Sequence, residues 1–234
     1  MKKSLASIVT TVFLLLFAST QAWAILLNFS NITGNNATNA ATGESQLFVD
    51  LTSVDPTHIS FRFFNNGPLA SSIADVYFDD GTLLGISSLI DADDGVGGDA
   101  GVDFSIGASP PNLPGGNGLA IPFVTTAGFL ADSDAPAQPN GVNPNEELFV
   151  IFELLAGKTF ADTVAALSAD PSDPNVDSLR IGIHVQGFAN GGSESFINVP
   201  PNGGPPPQQI PEPGIIFLLG AGLLGVCLSR RRRT

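Results

Sequence analysis

The densest set of hard oxygen ligands in the chain is Asp91, Asp93, Asp94, Asp99 and Asp103, interleaved with Gly95, Gly97, Gly98 and Gly101. Glycine lets a backbone turn sharply enough for carboxylates and carbonyls to converge, and Ca2+ takes about six to eight oxygens. The spacing departs from an EF-hand: Gly95 is the fifth residue counted from Asp91 where that loop needs the sixth, and Val102 stands where it needs its closing Glu. These five aspartates therefore read first as a solvated acidic loop, with a calcium set outside the EF-hand template as the functional alternative. Asp79 and Asp80 join the set only if the fold brings them near. Hydrolysis would need a nucleophile and a base. The only histidines are His58 and His184, and both alternate with apolar residues, which points them to solvent on polar strand faces. No G-x-S-x-G elbow surrounds a serine and no H-E-x-x-H is present. Two histidines in a chain whose one cysteine is Cys227 leave little for a structural zinc site. A carboxylate pair for glycoside hydrolysis remains open among 22 acids, but any aromatic sugar platform has to come from phenylalanine, because Tyr77 is the only tyrosine and Trp23 the only tryptophan. Gly220-Ala221-Gly222-Leu223-Leu224-Gly225 spells the dinucleotide pattern. It lies inside an apolar run without the βαβ unit that gives the pattern its meaning, so small residues for helix packing are the better reading.

The elements that would position such groups are mostly strands. Ile59, Phe61 and Phe63 alternate with His58, Ser60 and Arg62. Leu179, Ile181, Ile183 and Val185 alternate with Arg180, Gly182, His184 and Gln186. Further strands are expected at Gln46 to Thr52, Ile73 to Phe78, Gly81 to Ile86, Val102 to Ile106, Leu148 to Leu155 and Ser195 to Val199. Gly, Pro, Asn and Asp clusters separate them. The class this implies is mainly β: one antiparallel β-sandwich or jelly-roll-like domain over residues 25–199. One short helix is expected after Thr159, where Thr159 and Asp162 have capping-box spacing and Pro171 ends the pattern. Asn28 to Gly43, rich in Asn, Thr, Gly and Ala, reads as an exposed and loosely ordered lead-in. Its sequons at Asn28, Asn31 and Asn36 read as chance.

Charge narrows the partners. Without residues 1–24 and the stretch from Gly214, only Arg62, Lys158 and Arg180 remain as strong bases against 22 acids, a net charge of −19 that excludes nucleic acid. Cys227 falls outside that body, so no disulfide holds it and its core must do so alone. Within the tail, Cys227 reads as a small apolar residue, with lipidation as the alternative.

Both ends carry targeting signals. Lys2 and Lys3 precede an apolar stretch from Ile8 to Ala18, followed by Ala22-Trp23-Ala24, which suits signal peptidase and places cleavage after Ala24. The stretch is shorter than the roughly 17 to 25 residues of a spanning helix. At the other end, Pro200 to Ile210 forms a Pro- and Gly-rich spacer, followed by Pro211-Glu212-Pro213, a hydrophobic helix over residues 214–228, and Arg230, Arg231, Arg232 and Arg233. Proline keeps the triplet extended and open to a membrane enzyme. The apolar run is about 22 Å long at roughly 1.5 Å per residue, marginal for spanning a bilayer. The arginines hold its end in the cytoplasm, which puts the body outside.

This triplet, short Gly-rich apolar helix and arginine cluster, in that order, resemble the PEP-CTERM sorting signal of Gram-negative bacteria. The resemblance implies processing by an exosortase, a membrane cysteine transpeptidase that recognises the triplet and releases the tail. Some ice-binding proteins carry the same type of tail, but Thr125-Thr126 is an isolated pair without the repeat a flat ice-binding face needs. Phe63-Phe64-Asn65-Asn66-Gly67-Pro68 with Asp75-Val76-Tyr77-Phe78-Asp79-Asp80, and Ile183-His184-Val185-Gln186-Gly187-Phe188 with Gly192-Ser193-Glu194-Ser195-Phe196-Ile197, also resemble stretches found in other PEP-CTERM proteins, and imply no activity. The expectation is a non-enzymatic surface or extracellular-matrix protein. Its partners would be signal peptidase, an exosortase, the membrane and extracellular polysaccharide, with calcium as the one cofactor to consider. A secreted carbohydrate-active hydrolase is the alternative.

Overall fold

The computed structural model describes residues 24–80, 84–91, 101–131, 140–173 and 175–201, with backbone only for residues 86–91. The expected leader up to Trp23, the 214–228 helix, and the Pro211 to Pro213 and Arg230 to Arg233 motifs lie outside them. Among the described residues, no helix is long and apolar enough to cross a membrane.

The chain is mainly β. Its ten described strands are β1 (Ala24–Asn31), β2 (Leu47–Asp55), β3 (His58–Asn65), β4 (Ser72–Asp79), β5 (Leu84–Asp91), β6 (Phe104–Ile106), β7 (Ala127–Ala131), β8 (Glu147–Leu154), β9 (Arg180–Gln186) and β10 (Glu194–Asn198). They form one sheet in the order β5-β8-β3-β2-β1-β10-β9-β4-β7-β6, with every neighbouring pair antiparallel. The sheet curls. Phe78 on β4 meets Phe152 on β8 with ring centroids 4.8 Å apart, and Phe61 on β3 at 5.1 Å, although six steps of the sheet order separate β4 from β8. Phe129 on β7 and Phe63 complete this edge-to-face cluster. The core therefore lies inside the curl, lined by alternate residues of each strand.

The lead-in expected to be loose is structured, which corrects that reading. β1 is the strand that joins the two halves: Ala24 to Asn28 pair with Thr52 to Phe48 on β2, and Phe29 to Asn31 pair with Asn198 to Phe196 on β10. Ile25, Leu27 and Phe29 face the core, while Leu26, Asn28 and Ser30 face out. After it comes a second helix, α1 (Ala37–Gln46). Asn36 caps α1 by accepting from the backbone N–H groups of Thr38 and Asn39 at 2.9 and 3.2 Å. Its inward face is small and polar, and Gly43 lies so close to the Phe196 ring that a Cβ there would fall 2.2 Å from it. The expected helix is α2 (Phe160–Ser168), with Thr159 and Asp162 forming the reciprocal capping box and Thr163, Ala166 and Leu167 turned inward.

A second, smaller cluster sits on the outer face of the β9–β4 half, where Tyr77, Leu113 and Phe123 pack together. The segment 107–123 covers that face. It lies flat because Gly182 and Gly128 flank Tyr77 in register: a Cβ on Gly182 would fall 2.7 Å from Leu113 Cδ2, and one on Gly128 would fall 2.8 Å from Ala108 Cβ.

β1 and β10 run antiparallel, and Val199 N–H donates to the Asn28 carbonyl at 2.8 Å. The start of β1 and the end of β10 consequently lie at the same end of the sheet.

Candidate functional site

Of the residues expected to carry processing, Ala24 alone is described: it opens β1 opposite Thr52, and Ile25 beside it is 4% exposed. Ala22 and the two tail motifs lie outside the described residues.

The five-aspartate set is only partly described. Asp91 ends β5, and exposed Asp103 precedes β6 with its N–H donating to the Asn140 carbonyl at 2.9 Å. Asp93, Asp94 and Asp99 lie outside the described residues. The antiparallel registers place Asp91 and Asp103 at the end of the sheet away from Ala24, on its two outermost strands. Asp79 and Asp80 are at the opposite end, so they do not join the set. Each is already engaged. Asp79 accepts from Arg180 Nε at 3.0 Å and from Nη2, while Arg180 also donates to the Ile121 and Pro122 carbonyls and stacks 5.2 Å from the Phe123 ring centre. Asp80 accepts from Thr126 Oγ1 and from Leu84 N–H, and burial holds its carboxyl above the usual carboxylate range. Among the described residues, no group of three or more His, Cys, Asp or Glu side chains is gathered to hold a metal.

His184 corrects the expectation that it points to solvent. The alternation does turn it outward, but the 107–123 cover leaves it 8% exposed, and its Nδ1 lies 3.1 Å from Asp75 Oδ2. A bulge between Ile73 and Asp75 shifts the β4 register and sets Asp75 opposite His184, while Ser195 on β10 faces His184 from the other side. The result is a Ser195–His184–Asp75 row across three adjacent strands, the residue types of a nucleophile, base and orienting acid. That chemistry needs a serine hydroxyl that donates to the imidazole and is open to substrate. Here Ser195 is fully buried and its Oγ has no hydrogen-bond partner among the described residues. The row instead fastens the cover: Asp75 Oδ1 accepts from Ser109 N–H at 3.1 Å, and the hydroxyl of neighbouring Tyr77 donates to the Pro110 carbonyl at 2.9 Å. Burial, and then the charge of Asp75, push the Tyr77 phenol well above its ordinary value. His58 is half-buried at the end of β3, with Nδ1 2.8 Å from Asp55 Oδ2. The Thr57 N–H, followed by His58, holds the Asp55 carboxyl at about 2.

The most completely satisfied polar site centres on Glu194, which the sequence reading passed over. One oxygen of this 1%-exposed carboxylate accepts from Asn31 Nδ2 at 3.0 Å, Thr33 Oγ1 and Asn35 N–H, and the other accepts from Asn36 N–H. Burial alone would raise this carboxyl, but the bonds from Thr33, Asn31, Asn36 and Asn35 outweigh it and hold the group below its ordinary value. The knot ties the turn between β1 and α1 to the start of β10. Two of the three sequon asparagines are thereby accounted for: Asn31 donates to Glu194, and Asn36 caps α1. The available signal was a run of Asn and Thr donors needing one buried acceptor.

Two surfaces complete the inventory. On the outer face of β2 and β3, half-buried Phe48 and Phe64 stack at 5.4 Å with the Arg62 guanidinium 4.6 Å above Phe64, and Arg62 is held by Asp50 and Glu147. At the end where the chain enters and leaves the sheet, an apolar cleft of about 230 Å3 is lined by Leu119, Ile121, Leu167, Leu179, Ile197 and Pro200.

The body is followed in sequence by a proline-flanked acidic triplet and an apolar, arginine-terminated run. Residues 209–233 match the PEP-CTERM protein-sorting motif. Neither a curated protein nor a solved structure matches the chain.

Proposed function

We propose that the chain is a non-enzymatic exported protein of the cell surface or extracellular matrix, freed of its leader after Ala24 and sorted by an exosortase acting at Pro211-Glu212-Pro213. The match of residues 209–233 to the PEP-CTERM motif carries this reading. In this reading the curled sheet is a sandwich whose leaves share β1, residues 200–210 are a spacer, and residues 214–228 cross the inner membrane with Arg230 to Arg233 in the cytoplasm. Asp91, Asp93, Asp94, Asp99 and Asp103 form a calcium loop, and the Phe48–Phe64–Arg62 face contacts matrix polysaccharide through aromatic surface and a fixed cation.

The intact mass of the protein from its native cells tests the processing: loss of residues 1–24 and of the chain beyond about Glu212 is expected. Changing Pro211 and Pro213 to Ala should leave the precursor in the membrane fraction, and normal release of that variant would overturn the sorting assignment. Thermal melting with and without millimolar Ca2+ tests the loop, since a ligand that binds only the folded state must raise the melting temperature. An unchanged melting temperature removes calcium from the account. The alternative, a secreted carbohydrate-active hydrolase, requires a cleft with two facing carboxylates; release of reducing sugar from matrix polysaccharide would establish it, and its absence would count against it.

A further inference from the structure

The outer faces of the two halves of the curl differ. Segment 107–123 lies over the β9–β4 half and buries Tyr77 beneath it. On β2, β3 and β8, alternation turns Phe48, Phe64 and Phe149 outward, and all three stay half-buried at the surface. Register sorts this face into two adjacent rows that cross the strands. Phe48, Phe64 and Glu147 form one row, and Asp50, Arg62 and Phe149 form the other. With strands about 4.8 Å apart, each row is roughly 10 Å long. Aromatic rings and charged groups therefore alternate over a flat patch.

The charged groups decide what the patch can hold. Arg62 donates from Nε and Nη2 to Asp50 Oδ2 at 3.0 and 2.6 Å, and from Nη1 to Glu147 Oε2 at 3.1 Å. Its charge is thus already matched, by two acids against one base, and it offers no anchor for an anion. The body around it adds three strong bases against 22 acids in all, so a polymer with a carboxylate on each unit would be repelled. Hydrogen bonding is not exhausted, however. A guanidinium has five N–H donors, of which three are used, and the second oxygen of each carboxylate has no partner among the described residues. Donors and acceptors side by side next to aromatic rings match a sugar, whose hydroxyls both donate and accept and whose C–H groups pack on the negative face of a ring. We propose that the outer face of β2, β3 and β8 binds an uncharged polysaccharide, with sugar rings packed on Phe64 and Phe149 and hydroxyls bonded to the Arg62–Glu147 pair. This rests on the reading of the protein as one that contacts matrix polysaccharide, and it names the class: chains without carboxylate or sulfate.

Affinity electrophoresis of the full-length protein in non-ionic detergent tests this. Native gels are cast with hydroxyethyl cellulose, mannan or galactan, and with carboxymethyl cellulose as the charged counterpart of the first. EDTA is present throughout, so that no divalent cation bridges acid to acid. Phe64→Ala and Phe149→Ala each remove a ring without changing the charge, so retardation is read against one polymer-free mobility. Where thermal melting shows that a truncation has unfolded the chain, Phe64→Leu or Phe149→Leu keeps the bulk and takes its place. The expected result is retardation by at least one neutral polymer, binding about tenfold weaker in each variant, and little retardation by carboxymethyl cellulose. Equal retardation by the charged and neutral celluloses would overturn the inference while leaving the polysaccharide reading standing. Neutral binding that survives in both variants would place the site off this face and overturn it as well. Retardation by none of the polymers would remove polysaccharide from the proposed function itself. Sedimentation as a dimer that Phe64→Ala converts to a monomer would assign the face to a second copy of the chain, and the inference would fail.

Discussion

Phe78 offers the sharpest test of how the sheet is curled. β4 and β8 are six steps apart in the sheet order. A flat sheet with strands about 4.8 Å apart would therefore hold the two roughly 29 Å from each other. The Phe78 and Phe152 rings are instead 4.8 Å apart and cross at 75°, with Phe78 fully buried. Truncating Phe78 to Ala removes a core ring that touches four others and leaves a cavity between the halves, which costs about 3–5 kcal/mol. For a body of this size that corresponds to roughly 6–20 °C in melting temperature, at about 2–4 °C per kcal/mol. Because any buried Phe would be costly to lose, the discriminating quantity is the coupling. A double-mutant cycle of Phe78→Ala and Phe152→Ala, followed by urea unfolding of the leaderless, tailless protein, should give an interaction free energy of about 0.5–1.5 kcal/mol, the range for edge-to-face aromatic pairs. Additivity within about 0.3 kcal/mol would mean that the rings do not meet and that the halves do not face each other.

Glu194→Gln should destabilise the protein by about 2 kcal/mol at neutral pH, since hydrogen bonds to a charged acceptor are lost. The carboxyl is held below its ordinary value in the fold, so its contribution is present above about 4.5 and is lost as pH falls through the folded-state value. The gap between Glu194→Gln and the native sequence should therefore close on the acid side, and a gap constant from pH 7 to pH 3 would refute the assignment. Gly182→Val should cost about 1–3 kcal/mol by crowding Leu113 and Phe123, and should loosen the 107–123 cover. Tyr77 is the only tyrosine and Trp23 the only tryptophan, so in a protein that begins at Ile25 the fluorescence of Tyr77 reports the cover directly. Acrylamide quenching should rise in Gly182→Val, and unchanged quenching would mean that the cover does not depend on the glycine.

Strand positions were legible wherever one side of the strand faces the core and the other carries polar residues. β3 and β9 therefore emerged from alternation alone, and α2 from its capping box. The β1 alternation of Ile25, Leu27 and Phe29 was present too, but it is short and runs straight into an Asn-rich turn that dominates the local composition. α1 has no apolar stripe. Its inward residues are Asn39, Thr42, Gly43 and Gln46, and it is held by a cap and by a close approach to Phe196, neither of which leaves a hydrophobic period. β7, with the sequence Ala-Gly-Phe-Leu-Ala, lacks the β-branched residues that announce a strand. His184 shows a different limit. Alternation tells which way a side chain points, but not whether another segment lies over it, and the covering segment is rich in Pro, Gly and Asn, the composition of an exposed loop. The Glu194 knot was hidden for a related reason, since its donors and its acceptor are about 160 residues apart.

The double pairing of β1 has a kinetic consequence. Phe29 and Asn198 are partners across 169 residues, so this pair closes the longest loop that a strand ladder in the described fold encloses. Contacts this distant in sequence form late, because the entropy of closure is lost before any pairing compensates for it. In a chain crossing a membrane N-terminus first, Ala24 to Asn28 can find β2 early, while Phe29 to Asn31 wait for the last strand to emerge. That strand ends only thirteen residues before Pro211. Completion of the sheet and arrival of the sorting triplet at the membrane thus become nearly simultaneous events, set by one and the same length of chain.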